Sequence, residues 1–238
     1  MTVTGRFELV AFDAADIRRT ADFYVALTGW TKVKDEEDWI TLRGGDGQEV
    51  AFQLAPDHRP PEWPGQELPQ QMHLDLFAED HQAAARRAEE LGATRLADGA
   101  HWVTLADPAG HPFDICQKDG VTGPELPLFA VTVDAPDAIG LSRFYASLMG
   151  MEVTYEGPEG AMISGDGRSV LFQQVAEYTP PRWPDPAAPQ QAHLDIQVDD
   201  LDAGETRALE LGATRLDAGT DTFRVFVDPA GHPFCLTS

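Results

Sequence analysis

The sequence has few cysteines, few basic residues and no long apolar run, and each shortage excludes a class of protein. Two cysteines in 238 residues cannot build a disulfide scaffold, and no secretion signal is recognisable, so we expect a reduced, cytoplasmic protein. No stretch approaches the roughly 18–20 consecutive apolar residues of a membrane span. Only 17 lysines and arginines stand against 40 acidic residues, which gives a net charge of −23. Because such a chain repels phosphate backbones and anionic lipids, we expect neither a nucleic-acid nor a membrane partner.

The acidic charge itself has two interpretations that the sequence leaves open. It keeps the protein soluble, or it attracts a cationic small molecule to the surface. Apolar residues make up 42% of the chain, which is enough to build a hydrophobic core at this length.

Long motifs occur twice at a spacing of about 120 residues, so the chain is a tandem duplication. The repeated motifs are Leu-Gly-Ala-Thr-Arg-Leu (91–96 and 211–216), Asp-Pro-Ala-Gly-His-Pro-Phe (107–113 and 228–234) and Gln-Gln-x-His-Leu-Asp (70–75 and 190–195). We predict one domain over residues 1–119 and a second over residues 124–238.

A weaker repeat divides each half into two units of about sixty residues with the element order βαβββ. Residues 7–12 are typical of a strand, Asp13 and Asp16 can begin the helix that follows, and Gly29 can end it. Three short strands complete the unit. The four units are predicted at residues 3–56, 70–118, 126–176 and 190–238. Because one unit cannot bury both faces of its sheet, we expect the units to pair, with helices outside and a concave cleft inside.

These features resemble the vicinal oxygen chelate superfamily, which includes glyoxalase I, bleomycin-resistance proteins, fosfomycin-resistance enzymes and extradiol dioxygenases. The resemblance rests on the paired units, on Phe-Tyr before a Leu-x-Gly helix end, on His-Leu-Asp opening the second unit, and on the closing Asp-Pro-Ala-Gly turn. It implies an α+β fold in which four βαβββ units pair into two glyoxalase-like half-barrel domains. Because this fold serves many chemistries, the activity must be argued from the site.

The resemblance also implies a divalent metal (zinc, nickel, manganese or iron), held by cleft-facing side chains on the first and last strands of two paired units. Strand alternation selects the side chains that face the cleft. The residues at matching positions are Gln53, His73 and Asp114 in the first half, and Gln173, His193 and Cys235 in the second.

The first strand of each half supplies no further ligand by the same alternation. In the first half Phe7, Leu9 and Ala11 are predicted to face the cleft, which places Glu8 on the helix-packed side. In the second half the cleft-facing residues of the strand are predicted to be Leu128, Ala130 and Thr132. We therefore expect an incomplete metal site.

Two further features admit either a structural or a functional interpretation. His73 and His193 can be buried imidazoles that hydrogen-bond to Asp75 and Asp195, two residues further on. The Pro-Pro-x-Trp-Pro segments at 60–64 and 180–184 present Trp63 and Trp183 on loops stiffened by proline. Each tryptophan either plugs the barrel end or forms an aromatic wall of a ligand cleft.

We predict that the protein binds a small organic molecule in one or both clefts. Binding would sequester this molecule or confer resistance to it. The predicted lining residues are Gln53, Trp63, His73, Asp75, Gln173, Trp183, His193 and Asp195. The alternatives are a divalent-metal-dependent lyase, isomerase or dioxygenase, and a partner-binding module. The sequence leaves open whether the protein is a monomer or a homodimer, and whether units pair within a half or between chains.

Overall fold

The computed structural model describes residues 5–65, 67–183, 185, 187 and 189–238. Pro184 of the second proline-rich loop, and residues 3 and 4 of the first predicted unit, lie outside these ranges. The described chain forms four βαβββ units, so the predicted α+β class is confirmed. The first half contains β1 (Arg6–Ala14), α1 (Ile17–Thr28), β2 (Thr31–Asp35), β3 (Trp39–Arg43), β4 (Glu49–Leu54), β5 (Met72–Ala78), α2 (His81–Glu90), β6 (Thr94–Asp98), β7 (Trp102–Ala106) and β8 (Pro112–Gln117). The second half contains β9 (Leu128–Ala135), α3 (Ala138–Met149), β10 (Glu152–Gly157), β11 (Gly160–Gly165), β12 (Arg168–Gln174), β13 (Ala192–Gln197), α4 (Leu201–Leu211), β14 (Thr214–Gly219), β15 (Phe223–Val227) and β16 (Pro233–Thr237).

Each helix begins after an aspartate whose side chain satisfies a free backbone N–H of the first turn. These caps are Asp16, Asp80, Asp137 and Asp200. Gly29 ends α1 in the left-handed conformation, with φ of 80°, which favours glycine because it lacks a Cβ. Asp13, the other predicted cap of α1, is instead buried in β1.

The sixteen described strands form two eight-stranded sheets, and each sheet takes one unit from each half of the chain. Sheet 1 has the order β14-β15-β16-β13-β1-β4-β3-β2, and sheet 2 has the order β10-β11-β12-β9-β5-β8-β7-β6. The first unit is therefore paired with the fourth and the second with the third. The domain boundaries at 1–119 and 124–238 stay a prediction. The sequence left open whether units pair within a half or between chains, and the described strands instead pair across the two halves of one chain.

The linkers between units cross one another where the halves exchange strands. The backbone N–H of Asp13 donates to the carbonyl of Gln191, and that of Asp134 donates to the carbonyl of Gln71. The Gln71 side chain accepts from the Gln191 N–H at 2.9 Å and donates to the Pro189 carbonyl at 2.9 Å. These bonds join the two halves at the ends of the strand pairs that connect them.

The helices cover the face of each sheet opposite its cleft. Val50 and Phe52 of β4, like Leu194 and Ile196 of β13, lie on the helix-packed side and are almost fully buried. No helix among the described residues is long and apolar enough to cross a membrane. Each sheet thus has one packed face and one face that the helices do not cover.

The Asp-Pro-Ala-Gly-His turn also has the structural role predicted from its sequence. Asp107 Oδ1 accepts from the backbone N–H groups of Ala109 and His111, and Tyr24 donates to Asp107 Oδ2 at 3.2 Å. His111 is fully buried and its Nε2 lies 2.7 Å from the Asp13 carbonyl oxygen. The turn therefore fixes the second unit against the first.

Candidate functional site

The exchange of units between sheets redistributes the predicted metal ligands. Gln53 lies on sheet 1 with His193 and Cys235, whereas His73 and Asp114 lie on sheet 2. The expected convergence of Gln53 with His73 and Asp114 is therefore wrong. Gln53 of β4 and His193 of β13 line one cavity, as alternation predicts, but the near-identical repeats give β1 a choice between β5 and β13, both with a His-Leu-Asp segment, and β1 pairs with β13.

Gln173 is redistributed in the same way. It lies on β12 of sheet 2, the sheet that carries His73 and Asp114, and it is exposed. Each sheet consequently combines one glutamine, one histidine and one further donor, drawn from both halves of the chain. We call the cleft face of sheet 1 cleft 1 and that of sheet 2 cleft 2.

A β-bulge in β1 turns Glu8 into cleft 1. Phe7 pairs with Ile196 and Leu9 with Asp195, so Glu8 is the extra residue of β1 at this point. Phe7 packs into the core beneath the helices, while Glu8 and Leu9 both line the cleft. The prediction that Phe7 faces the cleft and Glu8 the helices is wrong, because strict alternation does not hold across a bulge.

The matching strand of sheet 2 has the same irregularity. In β9, Leu76 pairs with Leu128 and Asp75 pairs with Ala130, which makes Phe129 the extra residue. Leu128 consequently packs into the core rather than the cleft, contrary to the prediction. Phe129 thus takes in sheet 2 the place that Glu8 takes in sheet 1.

Cleft 1 contains a cavity of about 870 Å³, enough for an organic molecule of several rings. Aromatic side chains line it on three different segments: Trp39 on β3, Trp183 in the proline-rich loop and Phe223 on β15. Of the predicted binding residues, Gln53, Trp183, His193 and Asp195 line this cavity. Trp39 and Phe223 were not among the predicted lining residues. The alternation of side chains along β3 and β15 would have placed both on the cleft face.

The polar centre of cleft 1 consists of His193, Asp195 and Cys235. His193 Nε2 lies 3.5 Å from Asp195 Oδ1, which is longer than an ordinary hydrogen bond. One ligand atom of each residue lies within 4.8 Å of the others. Burial lowers the pKa of His193, so its ring is neutral at pH 7. Burial, with a smaller contribution from the Glu8 charge, raises the pKa of Asp195 to about 7.

The Cys235 thiol of this group is also neutral. Burial raises its pKa well above the ordinary value of a thiol, and the neighbouring Asp195 adds to the effect. The centre of cleft 1 thus carries little fixed charge. Its groups can donate hydrogen bonds to the oxygen atoms of a ligand and accept hydrogen bonds from its hydroxyl groups.

Cleft 2 has a similar centre but different surroundings. His73 Nε2 lies 3.8 Å from Asp75 Oδ1, and Asp114 lies beside them. Thr132 donates a hydrogen bond to Asp75 Oδ2. In both clefts the predicted histidine–aspartate pairs are therefore buried together, but without a normal hydrogen bond between them.

Aromatic packing occupies part of cleft 2. Phe129 stacks on Phe77 with ring centroids 4.3 Å apart, and the Lys118 ammonium lies 4.2 Å from the Phe77 ring centroid. Trp63 is half-buried in the first proline-rich loop. The roles predicted for Trp63, His73, Asp75 and Gln173 in ligand binding stay predictions.

The donors of cleft 1 fit a borderline divalent metal ion. Zinc binds imidazole nitrogen, carboxylate oxygen and thiolate sulfur, and His193, Asp195 and Cys235 supply one of each. Nδ1 of His193 is buried and has no hydrogen-bond partner among the described residues. Metal-bound histidines usually donate this second N–H to a neighbouring group. The three donor atoms therefore suit a zinc ion, but the hydrogen bond that would orient the His193 ring is missing among the described residues.

Comparisons with known proteins agree with the repeated architecture. A family model described as "Glyoxalase-like domain" matches residues 9–116 and again 130–237. The anthracycline biosynthesis protein DnrV of Streptomyces peucetius is 26% identical over 252 aligned positions, which cover 93% of this chain and 88% of DnrV.

Solved structures show the same fold at low sequence identity. Glyoxalase I from Zea mays is 19% identical, with a TM-score of 0.68 over 99% of this chain and 93% of the maize chain. The cppA protein of Streptococcus pneumoniae is 12% identical, with a TM-score of 0.57 over 99% of each chain.

Proposed function

We propose, from the premise that this chain belongs to the glyoxalase-like domain family through both of its halves, that cleft 1 binds a small organic molecule. The molecule has a planar aromatic body and oxygen substituents, and the protein sequesters it or takes part in its biosynthesis or in resistance to it. The protein acts in the cytoplasm as a monomer or homodimer.

The observation that carries this proposal is the cavity of about 870 Å³ walled by Trp39, Trp183 and Phe223. Ligand pockets are commonly lined by aromatic side chains around a few polar groups. Tryptophan and phenylalanine rings favour stacked or edge-on contacts with other aromatic rings. Walls of this kind therefore suit a flat ring system better than a flexible aliphatic chain.

The neutral centre of cleft 1 suits the oxygen substituents of such a ligand. The neutral His193 ring carries one donor nitrogen and one acceptor nitrogen, and Asp195, with a pKa of about 7, is partly protonated at neutral pH. A carbonyl accepts from the protonated carboxyl group, whereas a phenolic hydroxyl donates to the ring or to the carboxylate. The similarity to a protein named for anthracycline biosynthesis supports an aromatic, oxygenated ligand.

Binding of 1,8-dihydroxyanthraquinone and of a panel of other oxygenated aromatic compounds, measured by calorimetry, tests the proposal. Trp183→Ala removes one aromatic wall, so we expect it to weaken the tightest-binding compound about tenfold or more. Trp102→Ala, which removes a 44% exposed tryptophan of sheet 2, is the matched control. No binding across the panel, or equal losses in both variants, would overturn the proposal.

A second candidate function is that of a divalent-metal-dependent lyase, isomerase or dioxygenase. It is favoured by the group of His193, Asp195 and Cys235, which would hold the ion. A bound divalent metal polarises substrate oxygen atoms as a Lewis acid. Glu8 and Gln53 line the same cavity, where they would orient the substrate by hydrogen bonds, and the aromatic walls would exclude water.

Elemental analysis of protein purified without chelators tests this second function. Near-stoichiometric metal that falls by at least half in His193→Ala, but stays in His73→Ala, supports a metal site in cleft 1. Metal-free protein that binds its aromatic ligand unchanged contradicts it.

A further inference from the structure

Glu8 is an acidic group in cleft 1 that forms no ion pair with a basic side chain of the described residues. Five charged residues line the cavity: Glu8, Lys34, Arg43, Glu49 and Asp195. The Arg43 guanidinium lies 2.5 Å from Glu49 Oε1, and the Lys34 ammonium lies 3.1 Å from Glu36 Oε2. Among the ion pairs between described residues, none includes Glu8.

The two basic side chains also lie away from Glu8 in the sheet. Lys34 is on β2, the edge strand of sheet 1, and Arg43 is on β3 beside it, whereas Glu8 is on β1 at the centre. The Lys34 and Arg43 side chains are about half exposed to solvent. Glu8, by contrast, is partly buried.

The structure holds the Glu8 carboxylate in a defined position. The bulge between Phe7 and Leu9 directs the side chain into the cavity. Thr237 of β16 donates a hydrogen bond to Glu8 Oε2 at 2.7 Å. A glutamate that only solubilises the surface needs neither arrangement, whereas a ligand-binding carboxylate benefits from both, because its orientation is fixed before the ligand arrives.

The second sheet offers an internal comparison at the same position. Phe129 replaces Glu8 at the equivalent bulge, and it packs on Phe77 within sheet 2. The fold therefore accepts an apolar residue at the bulge, so a carboxylate is not required there for stability. We therefore attribute the carboxylate at position 8 to a role inside cleft 1.

We infer that the ligand of cleft 1 carries a basic amine on its aromatic body and that Glu8 binds the ammonium group. This inference rests on the proposed function. A carboxylate partly removed from water forms a charge-assisted hydrogen bond with an ammonium donor, which is stronger than a bond to a neutral hydroxyl. The aromatic walls would stack the ring system while Glu8 selects the substituent.

A matched pair of probes tests the inference: 1-(3-aminopropylamino)anthraquinone and 1-(3-hydroxypropylamino)anthraquinone. They share the ring system and differ in a terminal ammonium or hydroxyl group. We expect the full-length protein to bind the amine at least about tenfold more tightly. Glu8→Gln keeps an acceptor for Thr237 and removes the charge, so it should abolish this preference.

Glu49→Gln is the control, because it removes a carboxylate of the same cavity that Arg43 already neutralises; it should retain the preference. Equal binding of the two probes by the unmodified protein, or a preference that survives Glu8→Gln, overturns the inference while the proposed function stands. Failure of both probes to bind overturns the proposed function and the inference together.

Discussion

His58 and Tyr178 occupy matching positions in the two halves and make matching contacts. His58 Nε2 lies 3.0 Å from the Ala109 carbonyl oxygen, and Tyr178 donates to the Ala230 carbonyl at 2.9 Å. His58 also lies against the buried His111, with ring centroids 4.8 Å apart. Burial, with a smaller effect of His111, lowers the pKa of His58 to about 4. The folded protein therefore resists protonation of a residue that protonates readily when unfolded.

This lowered pKa predicts an acid sensitivity that His58→Tyr should relieve. His58 titrates at about 6.5 when exposed and at about 4 in the fold, so the unfolded chain binds the proton first. Its contribution to stability is full above about pH 6.5 and is lost as the pH falls toward 4. We therefore compare the free energies of unfolding of His58→Tyr and of the original protein by urea titration at two pH values. The difference, variant minus original, should be more positive at pH 4.5 than at pH 7.5.

The exposed His101 provides the control for this prediction. His101→Tyr makes the same substitution at an exposed position and is measured alongside His58→Tyr. A His58→Tyr variant whose relative stability is the same at both pH values would contradict the proposed role of burial.

Individual residues show how far sequence reasoning reached in the candidate site. Alternation correctly predicted that Gln53, His193 and Asp195 face away from the core. It misplaced Glu8, because a bulge depends on the local pairing of two strands and leaves no clear mark in one of them. Glu8, which was predicted to face the helices, therefore lines the cavity.

The linker segments before β5 and β13 contact each other across the two halves, and reciprocal glutamine bonds stabilise this contact. Gln71 and Gln191 are 4% and 2% exposed. Gln71 bonds to Pro189 and to the Gln191 backbone, and Gln191 Nε2 donates to the Pro69 carbonyl at 2.9 Å. Removal of the Gln71 side chain leaves the buried backbone N–H of Gln191 without this partner.

We expect Gln71→Ala to lower the free energy of unfolding by about 1–3 kcal/mol, since a buried polar group left unpaired costs roughly that amount. Chemical denaturation measures the change. Gln117→Ala is the control, because Gln117 is exposed and its side chain contacts the exposed His101. Equal stability of the two variants would show that the crossing of the linkers does not depend on these bonds.

At the level of elements, the sequence predicted the units well and their partners poorly. Aspartate caps, glycine helix ends and strand alternation are local signals, so the order βαβββ follows from them. Pairing of β1 with β13 rather than with β5 is a long-range choice between edges with the same His-Leu-Asp pattern. Local patterns carry no information about that choice.

For the whole molecule, the exchange of units means that neither half is expected to fold alone. Fragment 1–119 would leave β1 and β5 without β13 and β9, and unpaired strand edges associate with other chains. We expect each separate fragment to aggregate or self-associate, and coexpressed fragments 1–119 and 124–238 to form a 1:1 complex. Light scattering and calorimetry measure the association and recovery of ligand binding. Two stable, monomeric fragments would contradict this expectation.

The two clefts also predict the binding stoichiometry of the whole chain. Cleft 1 has a cavity of about 870 Å³, whereas Phe77 and Phe129 stack within sheet 2. We expect one aromatic ligand per chain in calorimetric titrations, despite the duplicated sequence. Two equivalent sites per chain, or one site that Trp183→Ala leaves unaffected, would contradict this assignment.

The duplication gives the chain two clefts that can diverge independently, although each cleft is built from both copies. Equivalent positions of the two copies, such as Glu8 and Phe129, fall on different sheets. A substitution in either copy therefore alters a single cleft and leaves the other with its original chemistry. Selection could in this way fit one hollow to a new compound while its twin kept the scaffold intact, a freedom that a lone two-unit domain with one cavity does not have.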